Sequence, residues 1–276
     1  MRDLKTLFTL ENRVAVVTGG AGLLGLQHSR AIASVGGIPI LADVSEERAR
    51  TAASAVSQEF GVPARGVAMD VTSAESIRRV CDSVRVEFGK IDILINNAAN
   101  NPKFEVRSDK NFTRFEHFPM AQWDTDLDIG LKGAFLCCQI IGSAMAERGY
   151  GTIVNVASDL ALIAPDQRIY RQDDLPADLQ PAKPVTYSVV KTALVGLTRY
   201  LATYWSECGV RVNALSPGGV ANGQPDNFVM KLRQLIPMAR MADVDEYCGA
   251  IVFLCSDASS YMTGTNLVVD GGRTCW

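Results

Sequence analysis

The hydrophobic positions of this chain fall into seven short apolar runs that alternate with stretches of helical periodicity. Most runs are rich in Val, Ile and Leu, which is typical of strands buried on both faces. Helical patterns between successive runs predict crossover connections, so the strands should be parallel. We therefore expect an α/β fold with helices on both faces of a doubly wound, mainly parallel, seven-stranded sheet. The predicted strands are 13–18, 38–42, 66–69, 91–95, 152–157, 211–215 and 266–270.

Helices are predicted over 26–35 and 123–148. A third predicted helix contains Tyr187 and ends near Gly209. Glycines inside the 123–148 pattern should serve close packing or a kink, because glycine is costly within a helix. Two further helices are marked by the spacing of a capping box. These boxes are Thr72 with Glu75, opening a helix to Phe88, and Asp243 with Glu246, opening a helix to Ser256.

Three segments have no clear period, namely 100–120, 159–183 and 222–240. The first is expected to be a loop over a functional site, since long loops in compact domains are often functional. The third is expected to be a mobile substrate loop with a short helix. No linker, repeat or low-complexity tract divides the chain, so residues 1–276 should form one domain.

Composition narrows the class of protein. Of the 276 residues, 47% are hydrophobic and 21% are charged, as in ordinary soluble globular domains. A net charge of −3 without a basic block argues against nucleic acid or a membrane as partner. The chain lacks a signal peptide pattern and a membrane-length apolar run, so we expect a cytoplasmic protein with a small-molecule substrate. Two histidines and seven scattered cysteines predict no metal site.

A glycine-rich turn follows the first predicted strand and precedes a helix. Residues 19–25 read Gly-Gly-Ala-Gly-Leu-Leu-Gly. Glycines let a backbone approach a pyrophosphate closely, and a helix N-terminus offers free N–H groups. The turn therefore predicts a dinucleotide site, with a merely tight turn as the alternative.

Asp43 ends the second predicted strand. A carboxylate at this position can accept hydrogen bonds from the adenosine ribose hydroxyls and would repel a 2′-phosphate. With no obvious arginine to replace it, Asp43 predicts NAD rather than NADP as cofactor. The alternative is a helix N-terminal acid, because Ser45 opens the next helix.

Tyr187 and Lys191 stand four residues apart in a helical pattern, so they share one face of the helix. An ammonium beside a phenol favours the phenolate and lowers the pKa of the phenol, which can then exchange a proton with an alcohol. Ser158 ends the fifth strand, where open α/β sheets bind ligands, and could orient a substrate oxygen. The alternatives are a chance Tyr–Lys spacing and a serine that caps a loop.

Taken in order along the chain, these motifs resemble the short-chain dehydrogenase/reductase family in its compact, non-extended branch. The resemblance extends from Val14 to Gly272 and includes Asn96-Asn97-Ala98, Tyr187-x-x-x-Lys191 and Pro217-Gly218. It implies a single Rossmann-type domain that assembles as a homotetramer or dimer. It also implies hydride transfer between a nicotinamide cofactor and a secondary alcohol or ketone.

The resemblance assigns roles to individual residues. Tyr187 would be the acid and base, Ser158 would orient the substrate oxygen, and Lys191 would hold the nicotinamide ribose and lower the pKa of Tyr187. The implied cofactor-binding residues are Gly19, Gly22, Leu23, Leu24, Gly25, Asp43, Asp70, Val71, Asn97, Ala98, Ala99, Tyr187, Lys191, Pro217, Gly218 and Val220.

Three substitutions depart from the family pattern. Leu23 occupies the position of a middle glycine, so the glycine spacing resembles the extended branch. Asn97-Ala98-Ala99 replaces the usual Asn-Ala-Gly. Gly130 stands where the family commonly has a catalytic asparagine that supports a water chain from the lysine, which we expect to affect rate rather than reaction type.

The connection between Ser158 and Tyr187 is longer than is usual in the family, and segment 166–184 is the inserted part. Because both of its ends are pinned at the site, we expect it to form part of the wall of the substrate mouth. Its Arg168, Tyr170 and Arg171 suggest a polar, sugar-like or anionic substrate that these side chains contact. An oligomer contact or a surface loop is the alternative.

The leading hypothesis is an NAD-dependent oxidoreductase acting on a secondary alcohol or its ketone. The glycine spacing leaves open a sugar epimerase or dehydratase with tightly bound NAD. Gly130 leaves open a non-catalytic, dinucleotide-binding regulatory protein, although the intact Ser158, Tyr187 and Lys191 argue against that class.

Overall fold

The computed structural model describes residues 3–100 and 113–276. Seven parallel strands form one sheet in the order β3-β2-β1-β4-β5-β6-β7, which confirms the predicted fold. Every predicted strand is present, with its ends within two residues of the expected positions. The strands are β1 Val14–Thr18, β2 Ile38–Asp43, β3 Arg65–Ala68, β4 Ile93–Asn96, β5 Gly151–Val156, β6 Val210–Pro217 and β7 Asn266–Val269.

The α-helices pack on both faces of this sheet. Two stretches of wider helix, Asp128–Lys132 and Cys138–Gly142, join three of them into one nearly continuous run. The α-helices are α1 Leu4–Phe8, α2 Leu23–Ser34, α3 Glu46–Phe60, α4 Ala74–Phe88, α5 Met120–Leu127, α6 Gly133–Cys137, α7 Ser143–Arg148, α8 Val185–Tyr204, α9 Asp226–Arg233 and α10 Cys248–Cys255.

Alternate residues of each strand feed two separate cores, as the period of two in a strand requires. Val14 and Val16 pack with α4 and the α5–α7 run, whereas Ala15 and Val17 pack with α2 and α10. All four side chains are at most 1% exposed. Burial on both faces explains why the strands read as continuous apolar runs and why their carboxyl ends are held in fixed register.

The glycines in the α5–α7 run serve close packing, as predicted. A Cβ on Gly130 would lie 2.7 Å from Val190 Cγ1, and a Cβ on Gly142 would lie 2.6 Å from Trp205. The 29-residue run Met120–Arg148 is long and apolar enough to cross a membrane. A single helix of this kind is only weak evidence of a membrane span, because buried core helices have the same length and composition. The buried residues of this run, Ile141 and Met145 among them, belong to the core beside the sheet, which accounts for its apolar character.

Both predicted capping boxes need correction. Ser73, not Thr72, caps α4 by accepting a hydrogen bond from Ser76 N at 3.2 Å, because the Thr72 hydroxyl donates to Asp70 instead. The second box is half formed: the Asp243 N–H donates to Glu246 at 2.8 Å. It closes a turn, and α10 itself begins only at Cys248.

Two of the three segments without a period, 159–183 and 222–240, contribute residues to a cleft at the carboxyl ends of the strands. Most of the predicted loop 100–120 lies outside the described residues. Segment 159–183 contains two short 3₁₀ turns, Asp159–Ala161 and Gln167–Tyr170. Segment 222–240 contains α9, whose Leu232 packs with Ile169 of the second segment. The two described segments therefore stand where a ligand of the sheet would bind.

Candidate functional site

A cleft of about 910 Å³ opens at the carboxyl ends of the parallel strands. Open α/β sheets bind ligands at this end, next to the point where strand order reverses, which here lies between β1 and β4. The residues predicted from the sequence to form the site line this cleft, except Gly25, which is buried in α2. They are Gly19, Gly22, Leu23, Leu24, Asp43, Asp70, Val71, Asn97, Ala98, Ala99, Ser158, Tyr187, Lys191, Pro217, Gly218 and Val220.

The glycine-rich turn is shaped by contacts that only glycine permits. Gly19 has a φ of +62°, in the left-handed region that favours glycine. A Cβ on Gly25 would lie 2.1 Å from the carbonyl oxygen of Gly19. Gly25 therefore keeps the turn tight against α2 without lining the cleft, and its part in cofactor binding stays a prediction. Leu23 begins α2 and is 43% exposed, so the side chain that replaces a glycine has room.

Thr18 and Asn97 fasten the turn to the end of β4. The Thr18 hydroxyl oxygen accepts hydrogen bonds from the N–H groups of Asn97 and Ala98, at 3.0 and 2.9 Å. The Asn97 amide donates in return to the Thr18 carbonyl at 2.9 Å and to the Gly19 carbonyl at 3.3 Å. The expectation that Asn97 ties neighbouring strands together is confirmed, and the backbone of residues 97–99 is fixed at the floor of the cleft.

Asp43 stands at the end of β2 and is 8% exposed. Its carboxylate accepts a hydrogen bond from Ser45 N at 3.2 Å and lines the cleft. Arg48, which sequence reasoning overlooked, lines the same end and donates to the Ala21 carbonyl at 3.1 Å. Its position in the first turn of a helix capped by Ser45 was the signal that could have revealed it. The carboxylate and the guanidinium thus both border the place where a ribose would lie.

Ser158 and Lys191 are fixed at the end of β5. The Ser158 hydroxyl donates to Asp159 at 2.8 Å and accepts from Leu160 N at 3.2 Å. The Lys191 ammonium donates to the carbonyl of Val156, two residues before that serine, at 2.7 Å. Because α8 begins at Val185, Tyr187 lies in its first turn and Lys191 one turn later, on the same face.

The acid–base behaviour of Tyr187 differs from the expectation. Burial raises its pKa; a hydrogen bond with Ser158 and the charge of Arg273 pull the pKa downward, while Asp159 adds to the rise. The predicted lowering by Lys191 is wrong for this structure, because the ammonium bonds a carbonyl and lies 5.8 Å from the ring centre. Burial and the neighbouring charge of Lys183 lower the pKa of Lys191 itself to about 8.

A buried ion pair, which the sequence did not reveal, supports the serine. Arg273 and Asp159 form a salt bridge at 2.7 Å, with side chains 7% and 4% exposed. The two residues lie 114 positions apart in the chain, so no local pattern links them. Since Asp159 also accepts from the Ser158 hydroxyl, the pair fixes the orientation of that hydroxyl in the cleft.

The 166–184 segment lines the cleft, but not with the arginines expected to contact substrate. Ile169, Tyr170 and Lys183 face it. Arg168 is instead paired with Asp166 at 2.7 Å and its side chain is 78% exposed. Arg171 lines a neighbouring depression on the surface. The expectation for both arginines is corrected, because Asp166 holds Arg168 outside the cleft and Arg171 is exposed beside it.

Gly130 adjoins a small cavity of about 30 Å³ behind Tyr187 and Lys191. Asp126, one turn earlier, also lines the cavity and accepts from Asn100 at 2.7 Å and from the Thr186 hydroxyl. The cavity beside Gly130 is thus also bordered by a carboxylate that the sequence did not single out. Its size is about that of one water molecule.

Comparison with known proteins places the chain among oxidoreductases. The family model for short chain dehydrogenase matches residues 13–170, and that for Enoyl-(Acyl carrier protein) reductase matches residues 178–274. A D-threitol dehydrogenase from Mycolicibacterium smegmatis is 36% identical over 274 residues, covering 97% of this chain and 95% of the relative. An NAD-dependent glycerol dehydrogenase from Listeria innocua is 32% identical, covering 97% and 96%.

A solved structure extends the likeness to three dimensions. A gluconate 5-dehydrogenase from Burkholderia cenocepacia, in complex with NADP and tartrate, superposes with a TM-score of 0.86 at 28% identity, covering 99% of this chain and 100% of that one. The relatives therefore include proteins named for NAD and for NADP. Together with the seven-stranded sheet and its cleft, these matches show that the chain belongs to the short-chain dehydrogenase/reductase family.

Proposed function

We propose that this protein is an NAD-preferring dehydrogenase that oxidises a secondary alcohol of a polyhydroxylated small molecule, or reduces the corresponding ketone. The observation that carries the proposal is the presence of Ser158, Tyr187 and Lys191 in the same cleft as the glycine-rich turn. The polyol-oxidising relatives support the substrate class.

The cleft fits a dinucleotide. Gly19 turns the chain with a left-handed φ, and Gly25 lets the turn pack closely on α2. The backbone N–H groups at the start of α2 can then bind a pyrophosphate. Asp43 borders the expected adenosine ribose, and residues 97–99 offer a flat, small-residue floor. When bound, the nicotinamide would accept or return the hydride.

The protein's own part is to hold the substrate oxygen and move one proton. Ser158, with its hydroxyl oriented by Asp159, and Tyr187 line the same cleft, so an alcohol oxygen can contact both. Tyr187 would take the proton from an alcohol during oxidation and give it to a ketone during reduction. Because burial raises its pKa, the phenol holds its proton at neutral pH, which suits the direction of reduction.

The NAD preference rests on Asp43. Its buried carboxylate would repel a 2′-phosphate, whereas the guanidinium at this end, that of Arg48, already donates to the Ala21 carbonyl. The hydrogen bond to Ala21 therefore weakens, without abolishing, the attraction of Arg48 for the 2′-phosphate of NADP. We expect kcat/KM with NAD to exceed kcat/KM with NADP.

The test is a substrate panel with both cofactors. Purified protein is mixed with NAD or NADP and with glycerol, D-threitol, xylitol or mannitol, and formation of reduced nicotinamide is followed by absorbance. We expect at least one polyol to reduce NAD. Tight NADH binding with no turnover in either direction would favour a regulatory protein, and isotope exchange without net NADH would favour an epimerase.

A further inference from the structure

Lys183, at the end of the 166–184 segment, is a cation at the substrate end of the cleft with no acidic partner of its own among the described residues. Its ammonium lies 3.7 Å from the centre of the Tyr187 ring. The side chain is half-buried, and burial lowers the pKa of Lys183 to about 8. The acid that acts on it electrostatically, Asp159, is already bonded to Arg273 at 2.7 Å.

The backbone around Lys183 is fixed, unlike that of an ordinary surface lysine. Its own N–H donates to the Gln167 side chain at 2.9 Å, and the N–H of Ala182 donates to the Thr113 hydroxyl at 3.0 Å. Pro184 follows at once and begins α8 as its N-cap. The side chain is thus presented to the cleft from a rigid base, and the contact with the tyrosine ring holds its direction.

Among the described residues around Tyr187, no carboxylate forms a salt bridge with the ammonium of Lys183 or with that of Lys191. Arg273 is neutralised by Asp159, and Lys191 is committed to the Val156 carbonyl. Asp126 lines the small cavity that Lys183 also borders, but both of its carboxylate oxygens already accept hydrogen bonds, from Asn100 and from the Thr186 hydroxyl. Removing an ammonium from water is costly unless an anion accompanies it, so a ligand anion would be bound favourably beside Lys183.

We propose that Lys183 binds a carboxylate of the substrate, so that the preferred substrate is a polyhydroxy acid rather than a neutral polyol. The inference rests on the proposed function of the same cleft. Because the ammonium lies over the ring whose hydroxyl must reach the reacting oxygen, only a few bonds separate the carboxylate from the reacting carbon. A phosphate dianion fits less well, since the described residues supply only this one uncommitted ammonium.

The test compares substrates that differ in one terminal group. D-threitol and D-threonate form one pair, and D-sorbitol and D-gluconate form another, each assayed with NAD. The variant is Lys183→Met, with Lys183→Arg as the conservative rescue. Arg168→Met is the matched control, because that arginine belongs to the same segment but does not face the cleft.

For the wild-type protein we expect a lower KM for the acid of each pair. Lys183→Met should raise that KM roughly 10- to 100-fold, as expected for loss of a hydrogen bond between charged groups. The KM for the neutral polyol should change less than about threefold, and Arg168→Met should leave both constants unchanged. Lys183→Arg should recover most of the preference for the acid.

A binding measurement keeps the inference testable if turnover is absent. Calorimetry of D-threonate with the NADH complex should show binding that Lys183→Met abolishes while the melting temperature stays near that of the wild type. Equal losses for acid and polyol would overturn the proposal, since they would mean that Lys183 acts through Tyr187. Stronger binding of inorganic phosphate than of D-threonate would also overturn it. Failure of every alcohol to reduce NAD, with threonate binding intact, would count against the proposed function alone.

Discussion

Replacing Gly130 by asparagine restores the residue that the family commonly carries at this position, yet the structure predicts that the change destabilises the protein. A Cβ at Gly130 would lie 2.7 Å from Val190 Cγ1, and Val190 is only 6% exposed. Overpacking of this kind costs about 1–3 kcal/mol, whereas the gain in helix propensity is only about 0.3 kcal/mol. We therefore expect Gly130→Asn to lower the free energy of unfolding by about 1–3 kcal/mol.

The assay is urea denaturation, supported by the melting temperature, which should fall by about 2–10 °C. Gly196→Asn is the matched control: this glycine is also helical, and no neighbouring atom lies within 4 Å of the position that a Cβ would occupy there. It should be neutral or slightly stabilising. The two variants share the same change in helix propensity, so the difference between their free energies of unfolding measures the cost of the clash with Val190.

A double-mutant cycle with Val190→Ala tests the proposed cause. If Val190 is the obstacle, Gly130→Asn should cost less in the Val190→Ala background, with a coupling energy of about 1–3 kcal/mol. Additivity within about 0.5 kcal/mol, or a stable single variant, would refute the steric argument. Should the double variant fold, its kcat also reports whether an asparagine side chain accelerates proton release.

Three further predictions concern charge. Asp43→Asn should raise kcat/KM with NADP relative to NAD by at least about tenfold; an unchanged ratio would remove Asp43 from cofactor choice. Arg273→Met leaves Asp159 buried without its partner, so urea denaturation should show a loss of about 3–5 kcal/mol, against about 0–1 kcal/mol for the exposed pair broken by Arg168→Met. Because burial raises the pKa of Tyr187, kcat/KM for alcohol oxidation should rise with pH, while that for ketone reduction stays flat through neutral pH; parallel profiles would contradict this.

The strands and the location of the site could be predicted because their signals are local. Each strand is a short apolar run, and the motifs follow strand ends that a parallel sheet brings to one edge. Gly130 could be identified as a packing position from helix propensity alone. Its partner, Val190, could not, because the contact joins two helices that are distant in the chain.

Some features of the site could not be predicted, because they depend on contacts between distant parts of the chain and on burial. Arg273 reaches Asp159 across 114 positions, and the backbone of Ala182 and Lys183 is held by hydrogen bonds to Thr113 and Gln167, which no local pattern reveals. Composition drew attention instead to Arg168, which a neighbouring acid holds in solvent. The pKa of Tyr187 was predicted in the wrong direction because the i, i+4 spacing gives no measure of burial.

The most direct test of the central claim is the rate of polyol or polyhydroxy acid oxidation with NAD by the wild-type protein and by Tyr187→Phe. The substitution removes the hydroxyl proposed to carry the proton and keeps the ring. The account predicts that kcat falls by about 10²–10⁴-fold while the Kd for NADH stays within about threefold. Turnover by Tyr187→Phe close to that of the wild type would contradict the assignment of this cleft as an alcohol dehydrogenase site centred on Tyr187.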